Sequence, residues 1–434
     1  MLKIYQLANL SKSELDKLCL RNSDEDNSIR ETVNGIISNV RAEGDSALRA
    51  YARQFDQTEL DKLWIDREEL HELADTVPDF QKKAITAAYN NIYTFHSSQV
   101  IKEDVIETMP GVSCWRDSRA IEKVGLYIPG GTAVLPSTFL MLGIPARIAG
   151  CPEIIVCSPP QKDGRVNPFI AYCAVLLKID RIYLSGGAQA IAAMAFGTES
   201  IPKVHKIYGP GNQYVTSAKS IIQATSQTAI DMPAGPSEVL IIADESSNPV
   251  FVAADLAAQA EHGIDSQAVL VSTSTKIIDS VIRELERQVP ALPRAAIAVQ
   301  AFKNSYAVVA DSLKEAISFS NEYAPEHLIL ATSQWEKLTD QIVNAGSVFL
   351  GNYTPESAGD YASGTNHTLP TGSFAKSYSG VSVDSFVKKI TFQHISEKGL
   401  QNLGATVEIL AELEGLQAHK NAVTVRLQDT LSRL

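Results

Sequence analysis

An α/β fold, with a mostly parallel sheet covered by helices, is what this sequence predicts. From about Val124 onward, short apolar runs alternate with segments of helical periodicity, the pattern of strands joined by crossover helices. Glycines gather just after many of those runs, where a chain leaves a strand and turns into a helix. The two ends of the chain lack the alternation and read as helix.

Taken in order, the first hundred residues are mostly helical in pattern. RETVNGIISNVRAEGDSALRAYARQF and DFQKKAITAAYNNIYTFHSSQ carry apolar residues three and four apart, with charges on the opposite face. The alternating region then pairs PEIIVCSPP with FIAYCAVLLKI, RIYLSGG with AQAIAAMAFG, KIYGPG with NQYVTSAKSIIQA, and SEVLIIAD with NPVFVAADLAAQAEHG. QAVLVSTS leads into TKIIDSVIRELERQV, and GSVFLG closes the series. From about Ser382 the pattern returns to helix, and GLQNLGATVEILAELEGLQAHKNAVTVRLQDTL predicts two helices broken near Gly415.

A chain of 434 residues exceeds what one core usually holds, so two or three domains are expected. Apolar content of 45% with charged content of 20% fits a globular protein. The formal charge of -12 argues against a nucleic-acid partner. No apolar stretch is long enough to cross a bilayer, and the opening MLKIYQLANLSKSELDK has no hydrophobic signal core, so a cytoplasmic location is expected. The cysteines (Cys19, Cys114, Cys151, Cys157, Cys173) are odd in number and form no CxxC pair, which argues against a disulfide framework or a thiolate zinc site. Cys157 ends an apolar run where a catalytic thiol would fit, but nothing nearby would lower its pKa, and a packing role is expected.

The glycine-rich turns GLYIPGG, SGGAQA, YGPGNQY and PAGPSE would let a backbone approach a phosphate closely. None fits G-x-G-x-x-G, since Gly209-Pro210-Gly211 has Tyr214 in place of the third glycine. Tight strand-to-helix turns explain them as well as a nucleotide site does.

Four polar clusters carry metal-competent or proton-transferring groups: Gln259-Ala260-Glu261-His262-Gly263, Pro325-Glu326-His327, the run around Asp360, and Gln417-Ala418-His419-Lys420-Asn421. Gln259 and His262, three apart on a small-residue helix, would leave the same face and suit two ligands of one ion. A helix C-terminal cap accounts for His262 equally but leaves the glutamine idle. Asp360 alone reads as a turn former, and His419 as a surface residue. Glu326-His327 precedes Leu328-Ile329-Leu330, at the mouth of an expected strand, where neighbours point to opposite sides. One of the pair would then reach a substrate directly while the other acts through water.

GLYIPGGTA, GGAQAIAA, GPGN, IDMPAGPSE, QAEHG, PEHL, AGSVFLG, TPESAGDYASGTNHTLPTG and AHKNAV follow one another here, and in this order and spacing the chain resembles histidinol dehydrogenase over essentially its whole length. The resemblance implies two Rossmann-like, incompletely doubly wound α/β domains with small helical additions at both ends. The division would be an N-terminal helical arm over 1–24, a first domain of 25–126 plus 239–380, a second of 127–238 and a helical tail of 381–434. It implies one zinc ion per subunit on Gln259, His262, Asp360 and His419, with the substrate's imidazole and amine completing an octahedron. It further implies His327 as general base, Glu326 as the carboxylate that activates water, and Ser237, His327 and Glu414 as substrate contacts. Tyr127, Gln189 and Asn212 would lie near NAD. The protein would be a homodimer in which one subunit's tail reaches the other's site, oxidising L-histidinol through L-histidinaldehyde to L-histidine with two NAD.

That chemistry needs a base for the hydroxyl proton while hydride leaves, and a neutral histidine titrating near pH 7 suits it. Competing readings are a relative acting on another amino or sulfonated alcohol, a metallohydrolase, and a zinc-stapled oligomer without activity. Glu414 argues for histidinol, NADH formation separates the hydrolase, and structural zinc sites prefer cysteine.

Overall fold

The structure, a computed structural model, describes residues 2–20, 27–130, 134–233 and 235–432. In chain order the strands are β1 (Lys3–Gln6), β2 (Trp64–Asp66), β3 (Ile106–Met109), β4 (Val112–Ala120), β5 (Lys123–Tyr127), β6 (Glu153–Ser158), β7 (Arg181–Leu184), β8 (Lys206–Tyr208), β9 (Ala229–Ile230), β10 (Glu238–Ala243), β11 (Gln267–Ser272), β12 (Tyr306–Val309), β13 (His327–Ala331), β14 (Ser347–Leu350) and β15 (Val387–Ile395). The chain divides into two compact units, Met1–Gln99 with Ile121–Phe386, and Val100–Ala120 with Val387–Leu434.

The larger unit contains two six-stranded sheets. The first runs β1-β12-β11-β10-β13-β14, parallel throughout, and the second runs β2-β7-β6-β5-β8-β9, parallel except for β2. Stripped of their outermost strands β1 and β2, the two orders are the same. Each steps outward from a central strand (β10 or β5) in one direction and then resumes on that strand's other side (β13 or β8).

Burial explains why these strands read as continuous apolar runs. Every residue of β10 is buried. Val239, Ile241 and Ala243 join one hydrophobic cluster, with Val252 and Leu256 of the helix Pro249–Ala260. Leu240 and Ile242 join another, with Phe319 and Tyr323 of the helix Leu313–Tyr323. A parallel strand covered on both faces has no polar side to alternate with. Among the described residues no helix is long and apolar enough to cross a membrane.

The strand pairing cuts across the division expected from the sequence. Residues 1–24, expected as a helical arm, contain the helix Lys12–Cys19 and also β1, which pairs with β12; residues 21–26 lie outside the described residues. β2 and most of β5, expected in the first α/β domain, belong to the second sheet.

The smaller unit joins β15 to β4 and β3 as an antiparallel sheet and carries the helices Glu397–Leu413 and Gln417–Ser432. The break falls where expected, with Gly415 at φ 71° in the left-handed region. β15 was not foreseen because none of its residues is buried and its apolar positions do not alternate. Backbone pairing along nine residues of β4 makes it a strand.

Candidate functional site

The amino edge of the first sheet gathers the acidic and imidazole groups. The helix Leu313–Tyr323 ends at Ala324 in the left-handed region, Pro325 follows, and β13 begins at His327. Gly346 lies so close to this turn that a Cβ there would stand 2.6 Å from the Glu326 carbonyl oxygen, so only glycine fits. Glu326 and Glu238, the latter opening β10, satisfy each other's backbone. Glu238 N–H donates to Glu326 Oε2 at 2.9 Å, and Glu326 N–H donates to Glu238 Oε1 at 3.2 Å.

His327 is enclosed by carboxylates. Its Nδ1 lies 3.2 Å from the Glu238 carbonyl oxygen, 3.6 Å from Glu356 Oε1 and 3.7 Å from Glu326 Oε2. Its Nε2 lies 3.4 Å from Asp360 Oδ1 without the alignment of a hydrogen bond. Glu356 and Asp360 are one turn apart on the short helix Glu356–Tyr361, which explains why both reach one ring. Burial alone would lower the His327 pKa, but Glu356, Glu326 and Asp360 outweigh it and push it up to about 10. Those carboxylates thus favour the protonated ring, against the direction that burial alone would take it. Burial, opposed by His327, pushes Glu356 up to about 8. For Asp360, burial is outweighed by His327, with His367 and His262 adding to the downward shift.

Glu326 and His327 do not diverge as adjacent strand residues would. Glu326 precedes β13, in a bend, and its carboxylate turns toward the Nδ1 side of the ring. Gln259 and His262 also differ from expectation, because the helix ends at Ala260. Gln259 is fully buried with neither amide atom bonded, whereas His262 lies past the cap, exposed, its Nδ1 3.1 Å from the Ala258 carbonyl oxygen.

The donor set fits a divalent cation. The Asp360 carboxylate and the buried, unbonded amide oxygen of Gln259 are oxygen donors of the kind such an ion takes, and His262 offers an imidazole nitrogen. His327, Glu356 and Asp360 each offer an atom within 4.8 Å of the others. Ser237, half-buried, precedes Glu238 at the same edge. Glu414 and His419 belong to the smaller unit, where both are exposed.

The positions expected near NAD lie at the carboxyl edge of the second sheet. Tyr127 ends β5, buried, and its hydroxyl accepts from Gly187 N–H at 3.1 Å at the start of the helix Gly187–Phe196. Gln189 is buried in that helix's first turn. Asn212 caps the helix Gln213–Thr225, its Oδ1 accepting from Tyr214 and Val215 N–H. Gly131, Thr132 and Ala133 of GLYIPGGTA, and Ala234 of PAGPSE, lie outside the described residues. Cys157 is fully buried in β6 and burial pushes its thiol pKa up, as a packing residue requires.

Two residues at the first edge escaped the sequence reading. Glu356 lies four before Asp360 in a run already singled out, and a helical-spacing test on ESAGDY would have found it. Glu238 ends PAGPSE, and only the β10–β13 pairing shows what it faces.

The family model described as histidinol dehydrogenase matches residues 19–427. A histidinol dehydrogenase of Bacteroides thetaiotaomicron is 54% identical over 96% of this chain and 97% of its own. A chloroplastic histidinol dehydrogenase of Arabidopsis thaliana is 53% identical over 99% of this chain and 92% of its own. The crystal structure of a histidinol dehydrogenase from Elizabethkingia anophelis superposes with a TM-score of 0.95 at 51% identity, covering 99% of this chain and 98% of that one.

Proposed function

The chain belongs to the histidinol dehydrogenase family, and on that premise we propose that it oxidises L-histidinol through L-histidinaldehyde to L-histidine with zinc and two molecules of NAD. The observation that carries this reading is the buried His327, with Asp360 3.4 Å from its Nε2 and Glu356 and Glu326 3.6 and 3.7 Å from its Nδ1. Zinc on Gln259, His262, Asp360 and His419, when bound, would anchor the substrate's imidazole and amine, and NAD would accept the hydride.

The chain's own groups handle the protons. His327 Nδ1, held toward the Glu238 carbonyl, leaves Nε2 as the basic nitrogen once a cation offsets the surrounding carboxylates. In the first oxidation the carbinol carbon gives up hydride and its hydroxyl gives a proton to Nε2, leaving the aldehyde. Glu326 then takes a proton from the water that adds to the aldehyde. The resulting hydrate loses a second hydride from the same carbon and a second proton to His327, leaving the carboxylate. Burial of both residues keeps bulk water from the intermediate.

Ser237 and Glu414 complete the substrate site in this reading, Glu414 facing the amine, while Tyr127, Gln189 and Asn212 face NAD. Glu414 and His419 would come from the partner of a tail-exchanged homodimer. Ile409, Leu410, Leu413 and Leu416, all exposed near them, supply an apolar surface for that partner. A cytoplasmic location belongs to the same proposal, in keeping with five unpaired cysteines.

The test is a steady-state assay with L-histidinol and NAD. Two NADH per histidine are expected, with little free aldehyde, loss of turnover on chelation and its return with zinc. One NADH per product, or full activity in a metal-free preparation, would overturn the reading.

A further inference from the structure

Behind the glycine turn of the second sheet lies a buried ion pair that none of the roles above uses. Lys219, on the helix Gln213–Thr225, meets Asp231, just past β9, with side chains only 5% and 1% exposed. Both backbone polar groups of one residue, Gly209, end on this pair. Lys219 Nζ donates to the Gly209 carbonyl at 3.0 Å, and Gly209 N–H donates to Asp231 Oδ2 at 2.9 Å. Asp231 Oδ1 is itself fixed by Met232 N–H at 2.8 Å.

The position of Gly209 gives those bonds their meaning. It follows β8 with φ 133°, and a Cβ there would stand 2.2 Å from the Tyr127 carbonyl oxygen, so the turn presses directly on the end of β5. β5 and β8 are the neighbours between which the strand order reverses, where open α/β sheets bind ligands beyond their carboxyl ends. Three residues on, Asn212 begins the next helix. A buried ion pair adds little net stability over an apolar pair of similar volume, because both charges lose their water. Packing therefore does not account for it.

We propose that Lys219 and Asp231 are positioning residues for the dinucleotide: by gripping Gly209 from both sides they set the spacing between Tyr127 and Asn212 across the reversal point. Neither need touch NAD. The proposal rests on the assignment of this edge to NAD, and its test separates the two.

Two neutral double variants of the full-length enzyme are compared with wild type, with zinc content and melting temperature recorded. Asp231→Leu with Lys219→Met removes both Gly209 bonds and keeps apolar volume. Asp231→Asn with Lys219→Met keeps an acceptor for the Gly209 N–H. KM for NAD should rise on the order of tenfold in the first and less in the second, while KM for histidinol and zinc content stay at wild-type values. If the first does not fold, the second decides by the same readout. Asn212→Asp, which keeps the helix cap but turns a negative charge toward the phosphates, should also raise KM for NAD. An unchanged KM for NAD in Asn212→Asp would remove the site assignment itself. A normal KM for NAD in a folded double variant, or equal losses for NAD and histidinol, with Asn212→Asp impaired, would overturn the positioning role alone.

Discussion

At the carboxyl edge of the second sheet, where the order reverses between β5 and β8, the chain leaves in glycine turns. At the matching place in the first sheet, between β10 and β13, it leaves in short polar side chains bonded to one another. Thr332 Oγ1 donates to Asp244 Oδ2 at 2.5 Å, Ser333 N–H to Ser246 Oγ at 2.8 Å, and Asn352 Nδ2 to the Ser246 carbonyl at 3.2 Å, while Ser247 Oγ donates to the Ala331 carbonyl. One topology thus has an edge lined by glycine backbone and another filled by its own hydrogen bonds. The first sheet carries its acidic and imidazole groups at the opposite, amino edge, on Glu238, Glu326 and His327. His367, whose charge bears on Asp360, meets Thr138 Oγ1 of the helix Pro136–Ile148, which follows β5, through its Nε2 at 3.1 Å. Strand order alone does not say where a site will be; the side chains at each strand end decide it.

The hardest test of this division is at the amino edge. His327→Asn should slow both oxidations by roughly a hundredfold or more, and Glu326→Gln should do so for the aldehyde step alone. Supplying histidinaldehyde and following NADH separates them, and normal aldehyde oxidation by Glu326→Gln would show the two roles misassigned. At the filled carboxyl edge of the first sheet, Asp244→Ala should cost about 1–3 kcal/mol and a few degrees of melting temperature, with both KM values unchanged. A raised KM there would mean that this edge binds a ligand after all.

The smallest effect concerns pH and the buried His96. His96 is fully buried with Nδ1 2.8 Å from the Ile92 carbonyl oxygen, and burial outweighs that bond to hold its pKa below the ordinary value. The folded ring stays neutral where the unfolded ring, with a pKa of about 6.5, takes a proton. Its contribution is therefore complete above about pH 6.5 and lost as the pH falls toward the depressed folded value. Urea midpoints measured from about pH 8 to about pH 5 should fall more for wild type than for His96→Leu; parallel curves would show that His96 titrates alike in both states.

Much of the fold was legible because buried parallel strands such as EVLIIA and helices of clear period leave different traces, and Gly415 marks its own break. β4 and β15 were not, since strands held by pairing rather than burial carry no apolar period. Within the site, Gln259, Glu326, His327 and Asp360 stood out by type and setting. The upward push on the His327 pKa did not, because it sums over the turn before β13 and the helix Glu356–Tyr361, which only folding brings together.

The reciprocal bonds between Glu238 and Glu326 have a consequence for assembly. They cross from the first residue of β10 to the residue before β13, and the pairing that continues from them sets Val239 beside His327. A slip of two residues would keep every apolar side chain on its proper face yet carry the two glutamates about 7 Å apart. Hydrophobic pattern tolerates that error, and the paired carboxylates do not. The bonds beside the proposed base therefore also favour one alignment of the two central strands over its two-residue slip.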